Sequence, residues 1–394
     1  MKYYIKLFII YGLRVILKCF YIFPIKNNRI IFSSYEGLSY TCNPKYIFQY
    51  FHKHSGHKFQ YIWCLNDKLK LPLEYSDDVI VVRFLSIQHI YYLLTSKVII
   101  SNLGIEPFIP KRKKQVFINT WHGGGAYKRV SSDLAVFSQA QTYYVRKLRE
   151  IRRRETNIFL SGSKAFTKVA SNDFHINLDA FVNTGMPRND VLINPDNDAI
   201  PLIRQKIATS YHCPTDSLWV LYAPTFRGTY RNQQHIDNQI IAPEITKAFE
   251  EKFGKKVTIL NRAHISRDNK NMNSSDECFD VSLYPDMQDL LLSCDILITD
   301  YSSSVWDFSL TNKPCFLFVP DLEAYEKSIG FYTPIEKWAF PYAKSITELC
   351  DLINAYDYHK AQEKIHCHQV LLGSYEKGNA CKKVYELILN LIHK

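Results

Sequence analysis

Residues 116–129 read VFINTWHGGGAYKR, an apolar run that passes directly into a histidine and three glycines. Val116 to Asn119 have the β-branched and aromatic composition of a buried strand. The three glycines expose the backbone, so another chemical group can approach it closely. Polar residues that follow a buried parallel strand lie at the carboxyl edge of the sheet, where ligands bind. The stretch therefore predicts an α/β fold with His122 at such an edge.

Similar apolar runs recur along the chain, separated by segments of helical length, which is typical of parallel sheets covered on both faces. The first series ends before the turn-rich, proline-bracketed segment 193–201, and the second follows it. We expect two Rossmann-like halves that face each other across a cleft. The predicted strands are 30–33, 61–64, 79–82, 98–101, 116–119, 158–161 and 180–183, then 218–222, 257–260, 296–299 and 315–318.

Length and charge support two dissimilar halves. A chain of 394 residues is too long for a single compact core. Residues 1–194 hold 28 Lys and Arg against 12 Asp and Glu, whereas the remainder holds 21 against 26. The predicted organisation is a helix over 1–26, a basic domain over 27–194 and a second domain over 195–394. The ten cysteines show no paired spacing, which favours reduced thiols in the cytoplasm.

The first 26 residues predict a helix that lies on a membrane. Lys2, Lys6, Arg14 and Lys18 fall within about 160° of arc, and apolar residues fill the rest. The charges interrupt the apolar run too early for a membrane span. We expect the cationic side to face anionic head groups, the alternative being a core helix whose lysines extend to solvent.

A second basic segment covers residues 146–154. It is either a solvated helix face or a contact for lipid phosphates or an anionic acceptor.

Polar residues that follow the strands of the second half suit a bound phosphate. Ser302, Ser303 and Ser304 start a predicted helix, while Arg262 and His264 come from a neighbouring strand end. Arg227 follows the strand at 218–222. Together these residues predict a pyrophosphate pocket.

The sequence predicts neither a metal nor a cofactor. Asp196 and Asp198 have the spacing of a carboxylate pair, but their proline-bracketed segment indicates a turn. Histidines and cysteines lack zinc-like spacing, and there is no Walker loop and no GxGxxG motif.

His122 is the candidate general base, since a neutral imidazole accepts a proton from an alcohol. A histidine beside a tryptophan is also commonly a packed, hydrogen-bonded residue. The strand-end position and the adjacent Gly123 and Gly124, along which a substrate chain can pass, favour the catalytic role. Lys128 and Arg129 would hold negative charge nearby.

Taken together, the motifs resemble the CDP-glycerol glycerophosphotransferase family of teichoic acid and capsule polymerases and primases. The resemblance covers about residues 30–375. It rests on residues 43–45, 121–123 with 128, 161–163, 184–190, 222–227, 262–264, 299–303 with 307–308, 313–314, 321, 325 and 330–332.

The resemblance implies a GT-B fold, monotopic attachment to the cytoplasmic face of the bacterial membrane, and metal-independent transfer of glycerol phosphate with release of CMP. His122 resembles the family's proposed base and His264 its donor-phosphate histidine. Ser302 and Ser303 match its hydroxylated turn at the pyrophosphate, and Asp307 would meet donor hydroxyls. The implied acceptor is a lipid-linked saccharide or a growing polyol-phosphate chain. Ile265 departs from the family's usual proline after the histidine.

Several alternatives stay open at this point. They are a CDP-ribitol donor, a GT-B glycosyltransferase that uses a nucleotide sugar, and a non-catalytic basic protein that binds membranes or nucleic acid. We expect no nucleic-acid partner. Single addition or polymerisation, the acceptor saccharide and the oligomeric state are not predicted.

Overall fold

A computed structural model describes residues 1–66, 71–125, 127–129, 138–225, 243–262 and 278–392, together with the backbone of 227–229 and 232–234. The chain divides into two compact units. The first contains Met1–Gly124, Val130–Asp190 and Ser374–Lys394, and the second contains Gly125–Arg129 and Val191–Gly373. The sequence-based range 195–394 places the C-terminal residues 374–394 in the second domain, whereas here they pack with the first unit.

The first unit is built on a seven-stranded parallel sheet of order β3-β2-β1-β4-β5-β6-β7. Its strands are β1 Lys26–Ser33, β2 Gln60–Cys64, β3 Val79–Val82, β4 Ser96–Ser101, β5 Val116–Asn119, β6 Ile158–Leu160 and β7 Phe181–Val182. Its helices are α1 Lys2–Ile16, α2 Cys42–Ser55, α3 Ile87–Thr95, α4 Gln139–Glu155, α5 Lys164–Phe174 and α14 Ala380–Ile392. Helix α6, Asp190–Ile193, spans the boundary between the units.

Alternate residues of β1 and β2 enter cores on opposite faces of this sheet. Ile30 and Phe32 pack with Trp63 on one face, while Ile31 packs with Ile62 on the other. Both faces are apolar because helices cover both, and for that reason these strands read as continuous apolar runs in the sequence.

The second unit repeats this architecture with a six-stranded parallel sheet of order β12-β11-β8-β13-β14-β15. Its strands are β8 Leu218–Ala223, β11 Val257–Asn261, β12 Cys278–Asp280, β13 Ile296–Thr299, β14 Cys315–Phe318 and β15 Tyr342–Ala343, and β9 Arg227–Thr229 pairs antiparallel with β10 Asn232–Gln234. Its helices are α7 Ala199–Tyr211, α8 Pro243–Phe253, α9 Met287–Ser293, α10 Ser304–Ser309, α11 Leu322–Ser328, α12 Ile346–Asn354 and α13 Tyr358–Leu372.

Both sheets have the Rossmann strand order, which confirms the α/β prediction of two Rossmann-like halves. In each, the order reverses between the first and fourth strands, β1 and β4 in one unit and β8 and β13 in the other. Ligands of such sheets bind outside the carboxyl ends of these strands. The eleven predicted runs all correspond to strands.

Helix α1 packs beside α4 in the first unit, with Leu7 buried and Arg14 half-buried, whereas Lys2, Lys6 and Lys18 are exposed. Arg14 donates to the carbonyl oxygens of Pro107 and Ile109, at 2.7 and 3.2 Å, and forms an ion pair with Glu155 at the end of α4. The expectation that this arginine faces lipid is therefore wrong, because its guanidinium is bonded to the protein body.

The opposite side of α1 is apolar and exposed. Phe8 is 80% exposed, and other large apolar side chains accompany it along one face. They are Tyr4, Ile5, Ile9, Tyr11, Val15 and Ile16. In the part of the chain that the structure describes, no helix has the length and hydropathy needed to traverse a bilayer.

Candidate active site

The loops after β1 and β4 meet at the point where the strand order of the first sheet reverses. Tyr35, which follows β1, donates its backbone N–H to Oδ1 of Asn102, which follows β4, at 2.9 Å. Asn102 is completely buried. This hydrogen bond ties the two loops together at the edge where a ligand is expected.

His122 lies beside this junction. Its Nδ1 is 3.1 Å from the carbonyl oxygen of Asn102. A carbonyl oxygen only accepts, so in the neutral ring Nδ1 carries the proton and Nε2 keeps its lone pair. The ring is half-buried, with the Trp121 ring centroid 4.2 Å away and that of Tyr35 5.7 Å away. A half-buried imidazole with a basic Nε2 is suited to take a proton from a hydroxyl group.

The residue before His122, Trp121, has a left-handed backbone conformation that places the histidine at this position. Trp121 has φ +52°, a conformation that costs a side-chain-bearing residue about 1 kcal/mol or more. Its N–H is bound by Oδ1 of Asn119 at 2.9 Å, and the N–H of Thr120 donates to Ser101 O at 2.9 Å. These two hydrogen bonds at the strand end therefore stabilise a backbone conformation that is unfavourable for tryptophan.

The last of the three glycines after His122 is required by packing. Gly123 and Gly124 are buried. A Cβ at Gly125 would lie 2.5 Å from the ring of Tyr127 and 3.2 Å from Cβ of Trp306. The sequence predicts that another chemical group approaches these glycines closely. At Gly125 the groups that do so are aromatic side chains of the protein itself.

The segment that carries Lys128 and Arg129 is bound into the second unit. Tyr332 donates its N–H to Tyr127 O at 2.9 Å, and Arg129 donates its N–H to Gly330 O at 3.1 Å. Lys128 is half-buried and Arg129 is exposed. The motif at 330–332 thus has a structural role as the partner of residues 127–129.

The second unit ties its own strand-end loops together in the same way. Asp300, which follows β13, accepts through Oδ1 from the N–H of Thr225, in the loop after β8, at 2.8 Å. The same oxygen accepts from the N–H of Tyr301 at 2.5 Å. Asp300 therefore occupies in the second sheet the position that Asn102 occupies in the first.

The serine run follows immediately. Helix α10 begins at Ser304, and Ser303 at its N-cap position makes no side-chain capping bond. The capping contact comes from Ser302, whose Oγ accepts from the N–H of Ser304 at 3.3 Å and from its hydroxyl at 3.0 Å. Ser302 and Ser303 are half-buried.

Arg262 and Asp307 differ in accessibility. Arg262 follows β11 and is half-buried, with Nη1 donating to Tyr284 O at 2.8 Å. Asp307 is only 2% exposed and accepts from Nε2 of Gln288 at 3.2 Å. His264 and the side chain of Arg227 lie outside the described residues.

The turn expected at Asp196 is confirmed. Its Oδ1 accepts from the N–H groups of Asp198 and Ala199, at 3.1 and 3.3 Å, which leads the chain into α7.

Three residues that contact the His122 loop had no role assigned from sequence: Asn43, Asn102 and Arg188. Asn102 directly follows β4, so the strand-end rule that singled out His122 also points to it. Asn43 and Arg188 belong to motifs that carry the family resemblance, but nothing in their local sequence indicates which loop they contact.

With this geometry defined, comparison with known proteins identifies the family. Residues 15–390 match the family model described as CDP-Glycerol:Poly(glycerophosphate) glycerophosphotransferase. The chain belongs to this family. The glycerophosphotransferase assignment, and the enzyme class predicted from the motifs, are thereby confirmed.

Individual related proteins support the same family assignment. A teichoic acid poly(glycerol phosphate) polymerase of Bacillus spizizenii is 29% identical over 99% of this chain and 98% of its own length. One from Staphylococcus epidermidis is 29% identical over 92% of this chain, which spans 51% of that protein. A solved structure of the wall teichoic acid polymerase TagF superposes with a TM-score of 0.79 at 27% identity, covering 94% of this chain and 90% of that one.

Proposed function

We propose that this glycerophosphotransferase transfers glycerol phosphate from CDP-glycerol to a hydroxyl group of a lipid-linked saccharide or polyol-phosphate acceptor, with His122 as the general base. The observation that carries the proposal is the contact between His122 Nδ1 and Asn102 O. It leaves Nε2 as the basic atom of a neutral ring, at the edge of the sheet where ligands bind.

The reaction balances with this single base. Nε2 of His122 takes the proton of the acceptor hydroxyl, whose oxygen attacks the glycerol-bearing β-phosphorus in line. The bond from that phosphorus to the bridging oxygen breaks, and CMP leaves with the electron pair. The chain's part is to position the groups and to stabilise charge on the phosphate oxygens.

The donor-binding residues come from the second unit. Arg262 and the hydroxyls of Ser302 and Ser303 are half-buried, so they keep accessible surface from which to donate to phosphate oxygens. Ser304 supports Ser302 through their hydroxyl contact of 3.0 Å. His264, Arg227 and Asp307 join this set through the family resemblance.

Lys128 and Arg129 are proposed to hold negative charge on the acceptor, and Gly123 and Gly124 to provide the backbone along which it passes. Arg129 supports this most directly, because its side chain is exposed while its backbone is held by Gly330. A guanidinium fixed at its base is suited to bind a phosphate.

We further propose that the enzyme acts at the cytoplasmic face of the cell membrane, bound peripherally through α1. The exposed apolar face of this helix would enter the head-group boundary. Helix α4 packs beside α1 and exposes Arg146, Arg152 and Arg153, which suit an anionic lipid surface.

The proposal is tested by CMP release from the purified enzyme with lipid-linked acceptor in anionic vesicles. Separate reactions supply CDP-glycerol, CDP-ribitol or a panel of nucleotide sugars. We expect release that depends on acceptor and is fastest with CDP-glycerol. Faster turnover of CDP-ribitol would reassign the donor, and turnover of nucleotide sugars alone would overturn the proposal.

A further inference from the structure

We propose that Arg188 and Asn43 are positioning residues that hold the loop carrying His122 in its reactive geometry. The inference rests on the proposed role of His122 as the base. It gives a function to two sequence motifs, residues 43–45 and 184–190, that the reaction scheme leaves without one.

Asn43 secures the loop from one side. It lies at the start of α2 and is completely buried. Its Nδ2 is 3.2 Å from Thr120 O and 3.1 Å from Trp121 O. The asparagine amide therefore binds the two carbonyl groups that precede His122, including that of the residue with left-handed backbone.

Arg188 secures the next carbonyl. Its Nη1 donates to His122 O at 2.8 Å and to Cys42 Sγ at 3.2 Å, and the residue is only 5% exposed. Oδ1 of Asn43 accepts from the backbone N–H of Arg188 at 3.0 Å, so the two residues are bonded to each other. Three successive carbonyl oxygens, of residues 120, 121 and 122, thus accept from two buried side chains.

This arrangement matters because the loop is strained. The left-handed conformation of Trp121 is unfavourable and persists only when surrounding contacts determine it. If the turn relaxed, the peptide of His122 would rotate and its ring would leave Asn102 O. Misplacement of a base by about 1 Å costs on the order of a hundredfold in rate.

The turn that carries Arg188 is itself bound by a buried carboxylate. Glu376, from the C-terminal segment, accepts from Met186 N at 3.0 Å and from Asn189 Nδ2 at 3.1 Å. A Cβ on Gly185, which has φ +83°, or on Gly162 would lie 2.8 Å from an oxygen of this carboxylate. Both glycines therefore allow Glu376 to approach the turn that presents Arg188.

A double-mutant cycle tests the inference, with kcat and KM measured for Arg188→Gln, Arg188→Lys, Asn43→Asp, His122→Ala and the Arg188→Gln/His122→Ala pair. We expect Arg188→Gln to lower kcat by about a hundredfold with KM for CDP-glycerol within about twofold. Arg188→Lys should recover part of the loss, because an ammonium still donates to one carbonyl. Asn43→Asp should act like Arg188→Gln, because a carboxylate cannot donate.

Arg29→Gln is the matched control. Arg29 is equally buried in the same unit, but it binds Gln60 and Thr95 rather than the loop. We expect it to lower stability as Arg188→Gln does and to keep kcat. Hydrogen exchange at residues 120–125 gives a second readout, faster in Arg188→Gln than in Arg29→Gln.

The outcomes distinguish the positioning role of Arg188 from the base role of His122. If Arg188 acts through His122, Arg188→Gln changes the residual rate of His122→Ala by less than about threefold. Three results overturn the positioning role while the base assignment stands. They are a further loss of rate in the double variant as large as that of Arg188→Gln alone, a change in KM without a change in kcat, and unchanged hydrogen exchange at residues 120–125. A fully active His122→Ala overturns both.

Discussion

The carbonyl oxygen of Asn102 lies 3.1 Å from Nδ1 of His122. The two residues follow adjacent strands, β4 and β5, so the sheet itself brings the carbonyl to the ring. A backbone acceptor that cannot change its own protonation selects one tautomer of the neutral imidazole. The chemistry proposed for His122 follows from this arrangement of strands.

Ser303 provides the clearest test of donor binding. Its side chain makes no capping bond to α10, so Ser303→Ala should leave the melting temperature unchanged. Loss of one hydrogen bond to a charged phosphate should raise the Kd for CDP-glycerol about tenfold or more in calorimetric titration. The control is Ser309→Ala in the same helix, which removes the buried bond from Ser309 Oγ to Trp306 O and should lower stability without weakening donor binding. Wild-type affinity in Ser303→Ala would exclude the serine from the donor site.

Gly125→Ala should destabilise the protein by about 1–3 kcal/mol, because its Cβ would overlap the buried Tyr127 ring. Urea unfolding followed by tryptophan fluorescence measures the change. Gly12→Ala is the comparison, since no atom lies within 4 Å of a Cβ there and alanine favours the interior of α1 by up to about 1 kcal/mol. Equal stability of Gly125→Ala and the wild type would contradict the packing explanation for this glycine.

Phe8→Asp should weaken binding to anionic vesicles by about tenfold or more, because it removes a large apolar group from the proposed lipid-facing side of α1. Co-sedimentation with vesicles measures binding. Leu202→Asp, at a residue of α7 that is 72% exposed, controls for the general effect of an added charge. If both variants sediment as the wild type does, the membrane is bound by another surface.

Much of the fold was predictable because apolar strands recur between helical segments, and all eleven runs became strands. Four strands of the described residues were missed, and each has only two or three residues. Arg227–Thr229 and Asn232–Gln234 form an antiparallel pair of polar sequence that lacks the apolar pattern of a buried strand. Cys278–Asp280 and Tyr342–Ala343 are too short to show a hydrophobic pattern. The return of the C-terminal segment to the first unit was also missed. It depends on long-range contacts, such as Asp190 accepting from the N–H groups of Ala380 and Cys381, which local periodicity does not report.

The candidate site was predictable only in part. Position after a strand identified His122, Arg262 and the serine run, because strand ends are recognisable in sequence. The residues that bind the loop of His122 were not predictable, since Asn43 and Arg188 reach it from distant parts of the chain. The expectation for α1 is wrong for Arg14, which binds the protein body, whereas Lys2, Lys6 and Lys18 are exposed. Periodicity defines the faces of a helix but not which of them the protein covers.

His89 should make the stability of the protein depend on acidity. Burial lowers the pKa of this histidine to about 4, against an ordinary value of 6.5. Between pH 4 and pH 6.5 this histidine binds a proton in the unfolded chain but not in the folded chain. The folded state therefore keeps its full stability with respect to His89 above pH 6.5 and loses it as the pH falls toward 4. The expected loss in the free energy of unfolding is about 3 kcal/mol.

His89→Asn is the matched variant, because its carbonyl oxygen can accept from the N–H of Leu85 as Nδ1 of the histidine does. Urea unfolding at a series of pH values should show a smaller loss for the variant than for the wild type. Parallel curves would mean that another group causes the acid sensitivity.

The most direct test of the central claim is the rate of CMP release by His122→Ala, measured with CDP-glycerol and saturating lipid-linked acceptor, together with the Kd for CDP-glycerol of the same preparation. Loss of a general base predicts a rate lower by about a hundredfold to ten-thousandfold, with the donor Kd within about twofold of the wild type. Turnover close to the wild-type rate, or a loss fully matched by weaker donor binding, would contradict the claim that the Nε2 atom of His122 takes the acceptor proton.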